Sequence, residues 1–238
     1  MTPAPLINIA EDAKSLAAAT AAFLSDAINL APDRFSLCLS GGSTPRETYE
    51  LLGSKDYSID WRKVRLFWGD ERFVPMDHED NNFRMARAAF IDRVPIPFSQ
   101  VHPILTGSKT PQRAAALYEE ALQAYYGGPF LDPERPLFNV TLLGLGEDGH
   151  IASLFPGNTA LDERNTWATA VIGAKPEARI SLTYPALESS RDILILVSGP
   201  KKRAILRRVL ENDQALPACR VATRGKIHIF ADRDALPS

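Results

Sequence analysis

Apolar residues along this chain recur either at helical spacing or in short runs bounded by glycine and proline. From Asp12 to Leu30 the spacing is helical and puts Leu16, Phe23, Leu24, Ala27 and Ile28 on one face. Gln112 to Tyr125 repeats that spacing, with Ala116, Leu117, Ala121 and Leu122 turned inward. Asn82 to Ile91 predicts a further helix, and Ser198-Gly199-Pro200 opens another that runs to Leu210. Between them lie strand-like runs at Phe35 to Leu39, Val64 to Trp68, Phe138 to Leu143, Arg179 to Thr183 and Lys226 to Phe230. Asp192 to Val197 is, after its first residue, an unbroken run of Ile, Leu and Val, the pattern of a strand buried on both faces.

The order of these elements, strands alternating with helices, predicts an α/β fold. It is doubly wound, a mostly parallel sheet with helices on both faces. Pro95 to Pro111 is rich in breakers and is the best place for a domain boundary. It reads instead as an ordinary long loop, so residues 1–238 are expected to form a single domain. Ser40-Gly41-Gly42-Ser43 ends the first of these strands. Thr44-Pro45-Arg46-Glu47 then opens a helix, with Thr44 as N-cap, Pro45 at the first helical position and Glu47 completing a capping box.

In open parallel sheets, ligands bind beyond the carboxyl ends of the strands. Four segments put polar turn residues there: Ser40–Thr44, Gly69–Arg72, Gly144–His150 and Ser198–Lys202. Glycines in the first let the backbone approach a ligand, and the helix start behind it offers unpaired N–H groups. Phosphate is the expected guest; a tight strand–helix turn is the competing reading, and the basic residues elsewhere decide against it. No Gly-Lys-Ser/Thr ending makes this a Walker A loop, and no G-x-S-x-G elbow makes Ser40 or Ser43 a nucleophile.

Gly144, Gly146 and Gly149 match the G-x-G-x-x-G dinucleotide spacing, with a short apolar, helix-like segment behind them. Context argues against a nucleotide. The motif falls past mid-chain, Asp148 would set a carboxylate against pyrophosphate, and Trp167 to Ala174 lacks the acidic residue that binds ribose. The turn presents His150 instead, and an imidazole exchanges protons near neutral pH. Asp148, two residues back, and Asp70 can orient it or its neighbours. Arg72 can stabilise negative charge developing on a carbonyl oxygen. His102 and His228 read as packing residues. Asp77, His78 and Asp80 match no metal-ligand spacing and read as a polar loop.

Composition narrows the partners. The chain is 45% hydrophobic and 24% charged, with a formal net charge of -2, so no global field draws in nucleic acid or an anionic membrane. An anionic substrate must be held by a few local basic groups. Met1 to Ala10 lacks the basic start and apolar run of a signal peptide. Cys38 and Cys219 show no redox or metal spacing. Two reduced thiols and a cytoplasmic location are expected. Oligomeric state stays open.

Taken together, several segments resemble the 6-phosphogluconolactonase family. They are Leu39-Ser40-Gly41-Gly42-Ser43-Thr44-Pro45, Phe67-Trp68-Gly69-Asp70-Glu71-Arg72-Phe73-Val74-Pro75, Asp77-His78-x-Asp80-x-Asn82, Gly144 through Gly157, and Arg179-Ile180-Ser181-Leu182-Thr183. The resemblance implies hydrolysis of 6-phospho-D-glucono-1,5-lactone on a fold shared with glucosamine-6-phosphate isomerase/deaminase, with no metal or organic cofactor. It maps the catalytic histidine to His150. The phosphate site maps to Gly41, Gly42, Ser43 and Thr44, with Arg179 and a lysine of Gly199 to Lys202, here Lys202 in preference to Lys201. Asn82 joins the substrate-binding set. Asn81 and Phe83 depart from the serine and tyrosine usual at those positions. Two other functions compete: an amino-sugar-phosphate isomerase/deaminase, and a non-catalytic sugar-phosphate sensor. The deaminase branch carries Asp-Glu-Tyr and Phe-Asn-Glu-Pro where this chain has Asp70-Glu71-Arg72 and Ser153-Leu154-Phe155-Pro156. A sensor is expected to carry an added DNA-binding helix pair, for which this chain has no spare segment or basic patch.

Overall fold

Six parallel strands form the centre of the molecule: β1 (Leu6–Ala10), β2 (Phe35–Leu39), β3 (Val64–Trp68), β5 (Phe138–Gly144), β8 (Ser190–Val197) and β9 (Lys226–Asp232). They are hydrogen-bonded in the order β1-β9-β8-β5-β2-β3. A second sheet of three antiparallel strands joins β4 (Asp70–Arg72), β7 (Arg179–Leu182) and β6 (Ala168–Val171), in that order. This computed structural model describes residues 4–237, so Met1–Pro3 of the N-terminal segment and Ser238 lie outside the described residues.

The order of the large sheet contains a switch. From β2 the chain moves outward to β3; it then crosses to the other side of β2 and builds β5, β8 and β9 away from it. The switch point lies between β2 and β5, where Leu37 pairs with Val140 and Cys38 with Thr141. Strand order therefore opens a crevice between the loop after β2 and the loop after β5. All five residues of β2 are buried, as are Ile193 to Val197 of β8. Both faces of the sheet are thus covered. The helices that cover it include α1 (Ala13–Leu30), α2 (Ser43–Leu52), α4 (Pro111–Tyr126) and α6 (Arg203–Leu210), with α3 (Asn82–Ala89), α5 (Tyr184–Glu188) and α7 (Pro217–Arg220) shorter. No helix among the described residues is long and apolar enough to cross a membrane.

Several sequence expectations need correction. The capping box at Thr44 does not form: α2 starts two residues earlier than expected, at Ser43, with Gly42 as N-cap and no side-chain cap. Pro45 falls at the third helical position. The inner face of α4 is Ala114, Ala115, Tyr118, Leu122 and Tyr126, while Ala121 is exposed. Aromatic anchoring sets that rotation, because the Tyr118 hydroxyl bonds the end of β3. No helix follows His150; Ile151 to Gly157 is a series of turns. Asp70–Arg72 is a strand of the small sheet and not a terminal turn. β1 and β6 have no counterpart in the sequence pattern. β1 is an edge strand with Leu6, Ile7 and Ile9 exposed, so no buried face shaped its composition.

Two tyrosines pin adjacent strand ends in the same way. Tyr49 on α2 accepts from Ser40 N–H at 3.0 Å and donates to Ser40 C=O at 2.8 Å. Tyr118 on α4 accepts from Trp68 N–H at 2.8 Å and donates to Trp68 C=O at 2.9 Å. Both side chains are buried, and burial pushes both phenols far above the usual tyrosine range. Tyr49→Phe or Tyr118→Phe leaves two buried backbone groups unpaired, each costing ~1–3 kcal/mol, so each variant is expected to unfold at lower urea. Equilibrium urea denaturation checks this: the midpoint should fall with an unchanged slope.

Candidate active site

The four strand-end segments do converge. A cleft of about 270 Å³ is lined by Ser40 to Pro45 after β2, Asp70 and Arg72 after β3, Gly144 to Gly146 with His150 after β5, and Ser198 and Lys202 after β8. Asn82 and Ala152 complete much of the wall. Of the residues singled out from sequence, Gly41, Gly42, Ser43, Thr44, Asp70, Arg72, Asn82, His150 and Lys202 line this cleft. Asp148 and Arg179 do not line it, but each touches or faces a residue that does.

At the β5 end, the turn is folded around the histidine. Gly146 N–H donates to His150 C=O at 2.9 Å, and Gly149 sits at φ +85°. A Cβ on Gly146 would lie 2.0 Å from His150 Nδ1 and 2.6 Å from Asp148 Oδ1, so no other residue fits there with the ring in place. His150 Nδ1 meets Asp148 Oδ1 at 2.5 Å, and His150 N–H donates to the same oxygen at 3.1 Å. Burial acts to raise the Asp148 carboxyl, but the bonds from His150 outweigh it and hold the group below the usual carboxylate range. A carboxylate on Nδ1 selects the Nδ1–H tautomer and leaves Nε2 with the lone pair. The imidazole also packs on Phe155, ring centres 4.5 Å apart, and Lys175 Nζ lies 5.2 Å from the centre of the Phe155 ring.

At the β2 end, α2 begins without a side-chain cap, and Gly42 adopts φ +108° to turn the chain into it. A helix start with uncapped N–H groups at a cleft favours an anion. Lys202 lies on the same cleft, its Nζ donating to Leu145 C=O at 2.6 Å, whereas Lys201 is not part of the lining. Asp232 holds the turn that carries this lysine, accepting from Ser198 Oγ at 2.5 Å and Gly199 N–H at 3.0 Å.

At the β3 end, Arg72 and Arg179 stand directly opposite each other on β4 and β7. Like charges in that position destabilise a strand pair. Arg72 Nη1 donates to Asp80 C=O at 2.6 Å. Arg179 approaches Glu177 at 3.7 Å, yet its Nε is buried with no hydrogen-bond partner among the described residues. Burial first, and the Arg72 charge second, push the Arg179 guanidinium below its ordinary range. Two opposed arginines with an unused donor are suited to an added anion. Asp70 is buried and accepts from Ser153 Oγ at 2.6 Å, while Asn82 Nδ2 donates to Asp70 C=O at 3.0 Å.

Three site-building residues escaped sequence reasoning: Tyr49, Ser153 and Glu71. Nothing local marks the first two. Glu71 had a signal, since strand alternation sets it on the face opposite Asp70 and Arg72. It is fully buried, and burial pushes its carboxyl up to about 7 against the backbone N–H groups of Asn82, Phe83 and Arg72 that donate to it. The two departures from the family pattern are also absorbed structurally. Asn81 caps α3 by accepting from Arg84 N–H at 2.9 Å, and Phe83 packs edge-on against Trp68 at 5.3 Å.

Known proteins resemble this chain in sequence and in fold. The family described as glucosamine-6-phosphate isomerases/6-phosphogluconolactonase matches residues 10–229. A 6-phosphogluconolactonase from a Nostoc species is 38% identical over 206 residues, covering 85% of this chain and 83% of the relative. One from Mycobacterium tuberculosis is 37% identical over 245 residues, covering 98% of each. Among solved structures, the 6-phosphogluconolactonase of Thermotoga maritima has a TM-score of 0.83 at 27% identity, covering 96% of this chain and 100% of that one.

Gly146→Ala tests how the histidine is held. The added Cβ is expected to push the imidazole off Asp148, read as a change in the ¹⁵N shifts of the His150 ring. Unchanged shifts would show that the turn does not set the ring position.

Proposed function

The chain belongs to the glucosamine-6-phosphate isomerase/6-phosphogluconolactonase family, and from that membership we propose how this cleft opens a phosphorylated sugar lactone. The enzyme hydrolyses 6-phospho-D-glucono-1,5-lactone to 6-phospho-D-gluconate in the oxidative pentose phosphate pathway. The observation that supports the mechanism is a single one: a carboxylate-backed histidine and an uncapped helix start line the same cleft.

The substrate phosphate binds the start of α2 at Gly41, Gly42, Ser43 and Thr44, with Lys202 and Arg179 supplying positive charge. Holding the non-reacting end of the substrate orients the ring and contributes to the chemical step. His150 Nε2 removes a proton from water as the water oxygen attacks the lactone carbonyl carbon. Negative charge then develops on the carbonyl oxygen, where Arg72 stabilises it. Collapse of the tetrahedral intermediate breaks the bond to the ring oxygen, which takes the proton from His150. The product is the open-chain acid, and His150 returns to its neutral state. Asp148 holds the ring and stabilises the transient imidazolium. A lactone is an activated ester, so the sequence needs no covalent nucleophile.

Asp70 is the base that the rival isomerase/deaminase chemistry requires. Here it is buried and bonded to Ser153 Oγ, an arrangement suited to bracing the site and not to removing a substrate proton. Asn82 braces the same corner. We also infer a cytoplasmic location, supported by the two unpaired thiols Cys38 and Cys219.

His150→Ala is expected to lower turnover by ~10²–10⁴ with folding intact, the range for loss of a general base. Acid release from freshly generated lactone, corrected for spontaneous hydrolysis, measures it; near wild-type turnover would remove His150 from the mechanism. Arg179→Ala and Lys202→Ala are expected to raise KM for the phosphorylated lactone several-fold more than they lower kcat. An unchanged KM in both would place the phosphate elsewhere. Ammonia release from glucosamine 6-phosphate, assayed alongside, is expected to be absent.

A further inference from the structure

Among the described residues, Glu71 is the one fully buried carboxylate around the cleft, and no ion pair to it occurs. Backbone dipoles surround it instead. Oε1 accepts from the N–H groups of Arg72 and Asn82, each at 2.8 Å, and Oε2 accepts from Phe83 N–H at 2.9 Å. The Asn82 and Phe83 donors belong to the first turn of α3, whose N–H groups have no partner within the helix. One carboxylate thus ties the backbone of Arg72 to a helix start ten residues later in the chain.

The tie extends further. Asn82, fixed by that bond, donates from Nδ2 to Asp70 C=O at 3.0 Å. Its Oδ1 lies where a Cβ on Gly41 would be only 2.1 Å away, so Asn82 packs directly on the phosphate loop. The carboxylate reaches the start of α3 because β4 presents alternate residues to opposite faces: Asp70 and Arg72 to the cleft, Glu71 away from it. Helix capping alone does not account for the arrangement. Asn81 already caps α3, and the third donor to Glu71 belongs to Arg72.

We propose that Glu71 is a positioning residue for lactone opening, holding Arg72 against the reacting carbonyl by bonding that residue's backbone to the first turn of α3. The inference rests on the Arg72 role proposed above. Glutamine cannot replace the carboxylate, because its amide offers one acceptor atom and turns a donor toward at least one of the three N–H groups.

A double-mutant cycle tests the proposal: kcat and KM for wild type, Glu71→Gln, Arg72→Ala and the double variant, all below their measured unfolding temperatures. Glu71→Gln is expected to lower kcat ~10-fold while KM stays within about threefold, the size typical when a supporting hydrogen bond behind a site residue is lost. In the Arg72→Ala background the same substitution is expected to cost less than about twofold, because coupled positions are not additive. A wild-type kcat in Glu71→Gln, even with a lowered unfolding temperature, overturns the proposal and leaves the Arg72 role standing. So does a full ~10-fold loss on top of Arg72→Ala. A harmless Arg72→Ala removes the Arg72 role itself and the proposal with it. If Glu71→Gln does not fold, Glu71→Asp enters the same cycle, since it keeps two acceptor oxygens on a shorter reach.

Discussion

A parallel strand that stops inside the protein leaves its last N–H and C=O groups without ladder partners, and buried backbone groups have to be paired. At the ends of β2 and β3 that pairing comes from two tyrosine hydroxyls, each both accepting from and donating to one residue. The consequence is geometric. Ser40 and Trp68 are fixed points, and the Gly41–Thr44 segment and the Asp70–Arg72 strand leave the sheet from them. Ser40 Oγ then accepts from Gly144 N–H at 3.3 Å, which ties the end of β2 to the end of β5 across the switch point.

Positive charge at the cleft is local and does not come from the protein as a whole. The net charge of -2 gives no general attraction for an anion. Instead the fold leaves an uncapped helix start, a lysine held on a carbonyl and two arginines set opposite each other. The first and the last of these are costly alone. Uncapped N–H groups forgo their capping bonds, and opposed arginines repel. Their grouping at one place makes sense if an anionic ligand relieves them together. The correction at Thr44 belongs here: a capping box would have used the N–H groups that the cleft leaves open.

The glycine turn at residues 144–149 shows how one spacing can serve different chemistry. In a dinucleotide fold such glycines admit pyrophosphate at a helix start. Here turns, not a helix, follow the motif, and the room left by Gly146 is filled by His150 and Asp148. The glycines accommodate a side-chain pair of the same chain. The sequence already pointed this way, since Asp148 and His150 are the wrong residues for a phosphate cradle.

Much was legible from the chain alone, for physical reasons. Buried parallel strands need continuous apolar runs, so β2, β3, β5, β8 and β9 stood out, and their order implied a doubly wound sheet. Polar turns at four strand ends named most of the cleft, because in such a sheet those ends share one side. What stayed hidden depended on contacts between residues distant in the chain. The edge strand β1 buries no face of its own, β6 is short, and the small antiparallel sheet exists only because β4 and β7 meet. Tyr49 and Ser153 are ordinary by type and by local pattern, and the alternation that sets Glu71 apart shows only once Asp70–Arg72 is a strand. Their roles arise when a hydroxyl reaches a strand end, a serine reaches Asp70 and a carboxylate reaches the first turn of α3. Local pattern determined which residues could carry the chemistry. The tertiary structure alone decided which groups hold them still, because buried polar atoms find their partners across the fold.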